Sequence, residues 1–145
     1  MNAPEEITAV AMICDYAQVA DGKLNIMGGG WAYLWGVEEP VQWTLILAVN
    51  LSVPWVRTNQ DLEITTRLLT EDHDPVLNAE GEEVLSGGNL RVGRPPDARE
   101  GVPIVVPFFL PFPGLSLNFG GYVFELSAGA NVVTRVPFQV AQRRS

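Results

Sequence analysis

Residues 121–140 read GYVFELSAGANVVTRVPFQV, and this stretch decides the fold class of the chain. Apolar side chains recur at every second position over residues 122–126 and again, except for Thr134, over residues 132–140. Such alternation indicates a strand with one buried face, and the connection at 127–131 contains the glycine and asparagine typical of a turn. The stretch therefore predicts a half-buried β-hairpin.

Further strands are predicted along the rest of the chain. Residues 7–14 are apolar on both parities, which indicates a central strand covered on both faces. The Asp21-Gly22 pair lies between two apolar runs and predicts a tight hairpin turn. Residues 41–52 alternate cleanly, with Trp43 on the parity predicted to face inward.

These patterns define the predicted fold class and domain organisation. About seven to nine short strands without a helical period indicate an all-β fold, a single antiparallel β-sandwich that is immunoglobulin-like or similar. The length of 145 residues suits one domain over residues 1–145. We expect flexible tails at 1–5 and 141–145.

Charge and composition narrow the classes of partner. Seventeen acidic against nine basic side chains give a formal charge of −8, which repels nucleic-acid phosphates and anionic lipid. We therefore expect neither a nucleic-acid nor a membrane partner.

Cysteine usage bears on the cellular location. Cys14 is the only cysteine, so an intramolecular disulfide cannot form. The first residues show no signal-peptide pattern, and no uncharged apolar run reaches the length of a membrane span. We expect a cytoplasmic protein.

The residues suited to catalysis are few. His73 is the only histidine, and it stands in an acidic turn with no cysteine nearby. Catalytic triads and transition-metal sites need several such groups. We expect a protein that is not an enzyme and uses no cofactor.

A calcium site is an alternative function. Asp72, Asp74 and Glu80 carry hard oxygen ligands on neighbouring predicted loops, and carboxylates at one end of a sandwich suit Ca²⁺. Their spacing lacks the order of an EF-hand loop. A sandwich that binds Ca²⁺ or a small ligand through the acidic loops at 71–83 is thus the second hypothesis.

The first hypothesis is a binding or assembly module that acts through residues 102–113. This run is rich in proline and aromatic residues and is apolar on both parities, whereas a sandwich strand has only one inward face. Its prolines predict an edge strand. Either the segment at 31–35 covers the second face, or that face is exposed to a protein partner or a homo-oligomer. The predicted interface residues are Trp31, Trp35, Phe108, Phe109 and Phe112.

Several runs together resemble a family of small uncharacterised bacterial proteins, mainly actinobacterial, whose domain has no known function. They are CDYA at 14–17, DGKLNIMGG at 21–29, VGRPP at 92–96, GGYVFEL at 120–126 and PFQV at 137–140. Cys14 stands where alanine is typical of the family, and His73-Asp74 where a turn glycine is usual. The resemblance implies a fold but no activity, substrate or catalytic residue.

Overall fold

Within residues 6–143, which the computed structural model describes, the chain forms nine strands in two sheets. The strands are β1 (Thr8–Ala20), β2 (Lys23–Gly29), β3 (Tyr33–Gly36), β4 (Val41–Val53), β5 (Asp61–Thr70), β6 (Leu85–Arg91), β7 (Ile104–Leu117), β8 (Gly120–Ala128) and β9 (Asn131–Gln142). A short 3₁₀ helix (Trp55–Arg57) follows β4.

The front sheet has the strand order β2-β1-β4-β7, and the back sheet has the order β3-β9-β8-β5-β6. Neighbouring strands are antiparallel except for β3, which pairs in parallel with β9. The predicted all-β class and antiparallel sandwich are thus confirmed, with this one parallel pair as an exception.

One hydrophobic core joins the inner faces of the two sheets. Leu47 and Val49 of β4 are fully buried, and they share this core with Phe124 of β8 and Phe138 of β9. Burying each such side chain stabilises the fold by about 1.5–3 kcal/mol. The inward faces that the alternation predicted therefore pack against each other between the two sheets, as in a β-sandwich.

The terminal hairpin is confirmed, with a tighter turn than predicted. β8 extends to Ala128 and pairs there with Asn131, so the turn has only two central residues, and Gly129 adopts a φ of 59°. A register shift after Leu126 leaves Val133 as an extra residue on β9. This bulge explains why Val132 is exposed, although the strand's alternation predicted an inward position.

The predicted hairpin between β1 and β2 is also confirmed. Asp21 and Gly22 have φ angles of 53° and 68°, the left-handed conformation that a two-residue type I′ turn requires at both positions. β1 lies between β2 and β4, as expected of a central strand.

The predicted edge position of the proline-rich strand is confirmed by β7, which pairs only with β4 in the described part of the chain. Pro107 and Pro111 stand opposite Asn50 and Ile46 without interrupting the ladder. Because proline has no N–H to donate, its nitrogen must face the free edge at these positions. The free edge of β7 is thereby short of hydrogen-bond donors.

The predicted tail at 141–145 is wrong at its beginning. Ala141 and Gln142 belong to β9 and pair with Trp35 and Gly36 of β3. The parallel β3–β9 pairing extends the sheet to this point. Arg143 follows the end of β9, and residues 1–5 and 144–145 of the predicted tails lie outside the described residues.

We expect the Tyr122→Phe variant to lose about 1 kcal/mol of stability at neutral pH, because the Tyr122 hydroxyl donates a hydrogen bond to the Asn118 carbonyl oxygen at 2.8 Å. Burial raises the pKa of Tyr122. The stability that the protonated Tyr122 hydroxyl contributes is therefore complete below the unfolded-state pKa of about 10. It is lost as pH rises through the pKa of the folded state. Thermal unfolding at pH 8 and pH 11 should show a smaller alkaline loss in the variant; equal losses would contradict this.

Candidate functional site

The outer face of the front sheet is uncharged and largely apolar over β1, β4 and β7, where a solvent-facing sheet normally carries polar side chains. Strand register places four rows of residues there: Thr8, Ser52 and Val105; Val10, Asn50 and Pro107; Met12, Ala48 and Phe109; Cys14, Ile46 and Pro111. We call these twelve residues the front face. None of them carries a charge.

The front face exposes large apolar side chains around a filled centre. Val10 is 68% exposed, Val105 58% and Phe109 38%. Between them, Cys14 and Ala48 are each only 1% exposed, because Met12 and Ile46 pack over them, as does Leu24 of β2. The surface is therefore continuous, which is typical of an interaction site rather than of scattered surface residues.

The outer face of the back sheet has the opposite character. Arg67, Glu125 and Arg135 stand opposite one another on β5, β8 and β9. Arg135 pairs with Glu125 at 3.1 Å, and Arg67 pairs with Glu83 at 3.6 Å. One sandwich thus has a charged outer face and an uncharged one, and only the uncharged one suits an apolar contact.

The structure separates the three phenylalanines predicted at an interface. Phe109 lies on the front face. Phe108 is half-buried, packs against the core and lines a groove between β6 and β7. Phe112 is 4% exposed and its ring centroid lies 4.9 Å from that of Phe124, so its assignment to the surface is corrected: it belongs to the core.

The two predicted interface tryptophans lie elsewhere. Trp31 and Trp35 line a depression of about 290 Å³ together with Asp15, Tyr33, Leu34, Trp43 and Arg143, which we call the aromatic depression. Of the two alternatives for the second face of residues 102–113, the exposed one is observed, since Val105 and Phe109 remain open to solvent.

Strand β3 builds one wall of the aromatic depression. Leu34 turns into the core, so Tyr33 and Trp35 share the opposite side, and their rings stack at a centroid distance of 5.4 Å. Tyr33 is 55% exposed, and Trp35 and Trp43 are each 48% exposed. Three large rings are thus open to solvent in one place.

Asp15 of β1 is held in the depression by a kink in β2. Gly28 has a φ of 61°, a conformation that favours glycine, and a Cβ at this position would collide with the Asp15 carboxylate. No basic side chain among residues 6–143 lies within ion-pairing distance of Asp15. Asp15 thus lines the depression without an ion pair to any described residue.

Hydrogen bonds between polar side chains and backbone N–H groups stabilise the turns in the acidic loops at 71–83. The Thr70 hydroxyl accepts the Asp74 N–H at 3.1 Å, and the Asn78 side-chain oxygen accepts the N–H groups of Glu80 and Glu82. Asp72 is exposed on the same turn as Asp74. In the part of the chain that the structure describes, no group of three or more His, Cys, Asp or Glu residues is placed to hold a metal ion. The predicted ligands Asp72, Asp74 and Glu80 are therefore not brought together as a calcium site.

We expect the Cys14 thiol to react with a thiol reagent at least ~100-fold more slowly in the native protein than in urea. Burial, with a smaller effect of the neighbouring Asp15, raises the pKa of this thiol, so less thiolate is present at pH 8 than in an exposed cysteine. Absorbance of a chromogenic disulfide reagent measures the rate. Equal rates in buffer and urea would show that Cys14 is open to solvent.

The front face was missed in part by sequence reasoning. Val10, Met12 and Ile46 were not singled out, although residues 7–14 are apolar on both parities. That pattern predicted a strand covered on both faces, and the structure leaves its second face partly open. No sequence pattern predicted that Asp15, Tyr33 and Trp43 line one depression. They lie on strands of two different sheets, so their proximity depends on how the sheets pack.

Comparisons with known proteins yield a family but no activity. Residues 6–143 contain no helix that is long and apolar enough to cross a membrane. No curated protein matches the chain. A protein-family model matches residues 9–141, which covers seven of the nine strands completely and all but one residue of β1 and of β9. The chain therefore belongs to the family of unknown function DUF6941.

Proposed function

We propose that this domain is a non-enzymatic assembly module that associates with a second copy of itself through the front face. The observation that carries the proposal is the absence of charge from all twelve front-face positions, combined with the exposure of Val10, Val105 and Phe109. Apolar side chains left in water on one continuous surface gain free energy when another such surface covers them.

The form of association follows from the edge strand. A free strand edge adds another strand through its backbone N–H and C=O groups. On β7 the prolines at 107 and 111 remove donors from the free edge beside the front face, which disfavours strand addition there. Packing of one face on another, with the sheets about 10 Å apart, needs no edge hydrogen bonds and is the route that the front face offers.

Charge favours the front face as the contact. Each chain carries a formal charge of −8, so two copies repel wherever their charged surfaces meet. Burying a charge without a partner is also strongly unfavourable. Contact between two front faces buries no charged side chain, while the pairs on the back sheet stay in solvent.

The size of the face sets the expected affinity. From standard strand spacings the three strands β1, β4 and β7 present about 350 Å² in projection, so a pair of faces covers roughly 700 Å². Accessible area exceeds projected area, which places the contact near the lower limit of about 1,000–1,200 Å² for specific interfaces. We therefore expect a reversible dimer with a dissociation constant of about 1–100 μM.

We propose in addition that the protein acts in the cytoplasm and that its partner is not a nucleic acid. The single cysteine, buried in the sheet, suits a reducing compartment. Arg94 is engaged within the chain, with its guanidinium 4.1 Å from the Trp55 ring centroid and its Nε donating to the Thr58 hydroxyl. Arg91 pairs with Asp61 at 3.3 Å. These arginines are thus committed to contacts within the fold.

A charge placed in the front face tests the proposal. Phe109→Glu buries a carboxylate in any dimer built on this face, and we expect light scattering to report only the 15.8 kDa monomer up to several hundred micromolar. Val132→Glu is the matched control, because Val132 has a similar exposure of 41% but lies on the back sheet. It should dimerise like the wild type.

Two outcomes would overturn the proposal. One is a wild-type protein that stays monomeric over the same range of concentration. The other is a dimer whose dissociation constant is unchanged by Phe109→Glu, since the contact would then lie on another surface.

A further inference from the structure

We infer that the aromatic depression binds a small zwitterion that carries a methylated ammonium group at one end and a carboxylate at the other. Three kinds of residue line the depression: exposed aromatic residues, the acidic Asp15 and the basic Arg143. Each kind recognises a different part of such a ligand. The site is distinct from the front face, so the inference goes beyond self-association.

The aromatic rings provide the surface for a cation. The face of an indole or phenol ring attracts a positive charge within about 6 Å of its centroid. The chain already contains such a contact, in which Arg94 covers Trp55. Among residues 6–143 no arginine or lysine covers Tyr33, Trp35 or Trp43 in this way. Apart from the faces by which Tyr33 and Trp35 stack on each other, these rings are therefore free to receive a cation from solution.

Asp15 makes the depression selective for positive charge. Its carboxylate lies against Gly28 and has no basic partner within ion-pairing distance in the described part of the chain. A methylated ammonium is less strongly hydrated than a primary ammonium, so it loses less when rings replace its water. Rings beside an unpaired carboxylate therefore favour a methylated ammonium.

Arg143 supplies the recognition of the anionic end. Its backbone N–H donates to the Gly36 carbonyl oxygen at 2.7 Å, which fixes this residue at the end of β3. Arg143 lines the same depression as Asp15. A planar guanidinium binds a carboxylate through two parallel hydrogen bonds. A ligand with both charges satisfies both side chains at once.

The volume limits the size of the ligand. Drug-sized ligands occupy pockets of about 300–1,000 Å³, and the aromatic depression, at about 290 Å³, lies below this range. Glycine betaine has the required trimethylammonium and carboxylate groups in a compact molecule. It is therefore the probe of choice, with choline as a cation that lacks the carboxylate and acetate as an anion that lacks the ammonium.

Binding is measured by calorimetry and by tryptophan fluorescence, since three of the four tryptophans line the depression. We expect saturable binding of betaine at about 0.1–1 mM, at least tenfold weaker binding of choline, and no binding of acetate. Asp15→Asn should weaken betaine and choline at least tenfold. Arg143→Gln should weaken betaine about tenfold and leave choline unchanged.

The controls separate binding from folding and from assembly. Asp21→Asn removes an exposed carboxylate from the β1–β2 turn and should bind betaine like the wild type. Phe109→Glu should also bind betaine normally, which shows that the depression acts without the dimer. Absence of saturable betaine binding, choline binding as tight as betaine, or an Arg143→Gln variant with unchanged betaine affinity would each overturn the inference.

Discussion

Replacing Phe124 by alanine is expected to lower the free energy of unfolding by about 3–5 kcal/mol. Phe124 is 1% exposed and lies between two rings, with centroids 4.9 Å from Phe112 and 5.5 Å from Phe138. The substitution removes both aromatic contacts and leaves a cavity at the meeting point of the two sheets. A domain at the lower end of the ordinary range of stability, about 5 kcal/mol, would then be close to unfolding.

Urea unfolding followed by tryptophan fluorescence measures this loss. Phe109→Ala is the matched control, because it removes the same atoms from a ring that is 38% exposed. At a concentration at which the protein is monomeric, we expect the control to lose about 1 kcal/mol. Equal losses at the two positions would contradict the assignment of Phe124 to the core and Phe109 to the surface.

Replacing Thr66 by valine is expected to stabilise the protein by about 1–3 kcal/mol, which is unusual for a core substitution. Thr66 of β5 is fully buried, and its hydroxyl oxygen has no hydrogen-bond partner among the described residues. Valine has nearly the same shape and keeps the β-branch that suits a strand. It removes a polar group that is buried without compensation.

Thermal and urea unfolding of Thr66→Val measure the gain. Thr65→Val is the control, since Thr65 is the neighbouring residue on β5 and is only half-buried; we expect a change within about 0.5 kcal/mol. A loss of stability in Thr66→Val would show that the hydroxyl has a partner. Thr66 lines the groove between β6 and β7, so that partner would enter from there.

Much of the fold could be predicted because its signals are local. The Asp21-Gly22 turn needs two residues that accept positive φ, and the edge position of β7 follows from prolines that cannot donate to a ladder. The parallel pairing of β3 with β9 could not be predicted in this way. It joins residues about a hundred positions apart, and no turn signal connects them.

The candidate site was less accessible to sequence reasoning. Phe109 and Phe112 were both predicted at an interface, although residues three positions apart on a strand point to opposite faces. Because residues 102–113 are apolar on both parities, only the register shows which face is inward: Phe109 pairs with Ala48 and Phe112 with the buried Leu45. A bulge in β7 beyond Phe112, marked by the left-handed Gly114, also shifts the register with Trp43. The alternation along β4 predicted an inward Trp43, and the structure leaves it half exposed.

The account thus assigns two surfaces to one sandwich. The front face presents an uncharged surface for a second copy, and the aromatic depression presents rings between two opposite charges. Substitutions act on them separately: Phe109→Glu addresses only the first and Arg143→Gln only the second. This separation allows either assignment to be tested without the other.

Sedimentation equilibrium of the wild-type protein tests the central claim of self-association most directly. We predict a weight-average mass that rises from 15.8 kDa at low micromolar concentration toward twice that value at several hundred micromolar. Because the contact is apolar, the curve should change little between 50 mM and 500 mM salt, apart from a modest gain as repulsion is screened. A mass that stays at 15.8 kDa throughout would contradict the account.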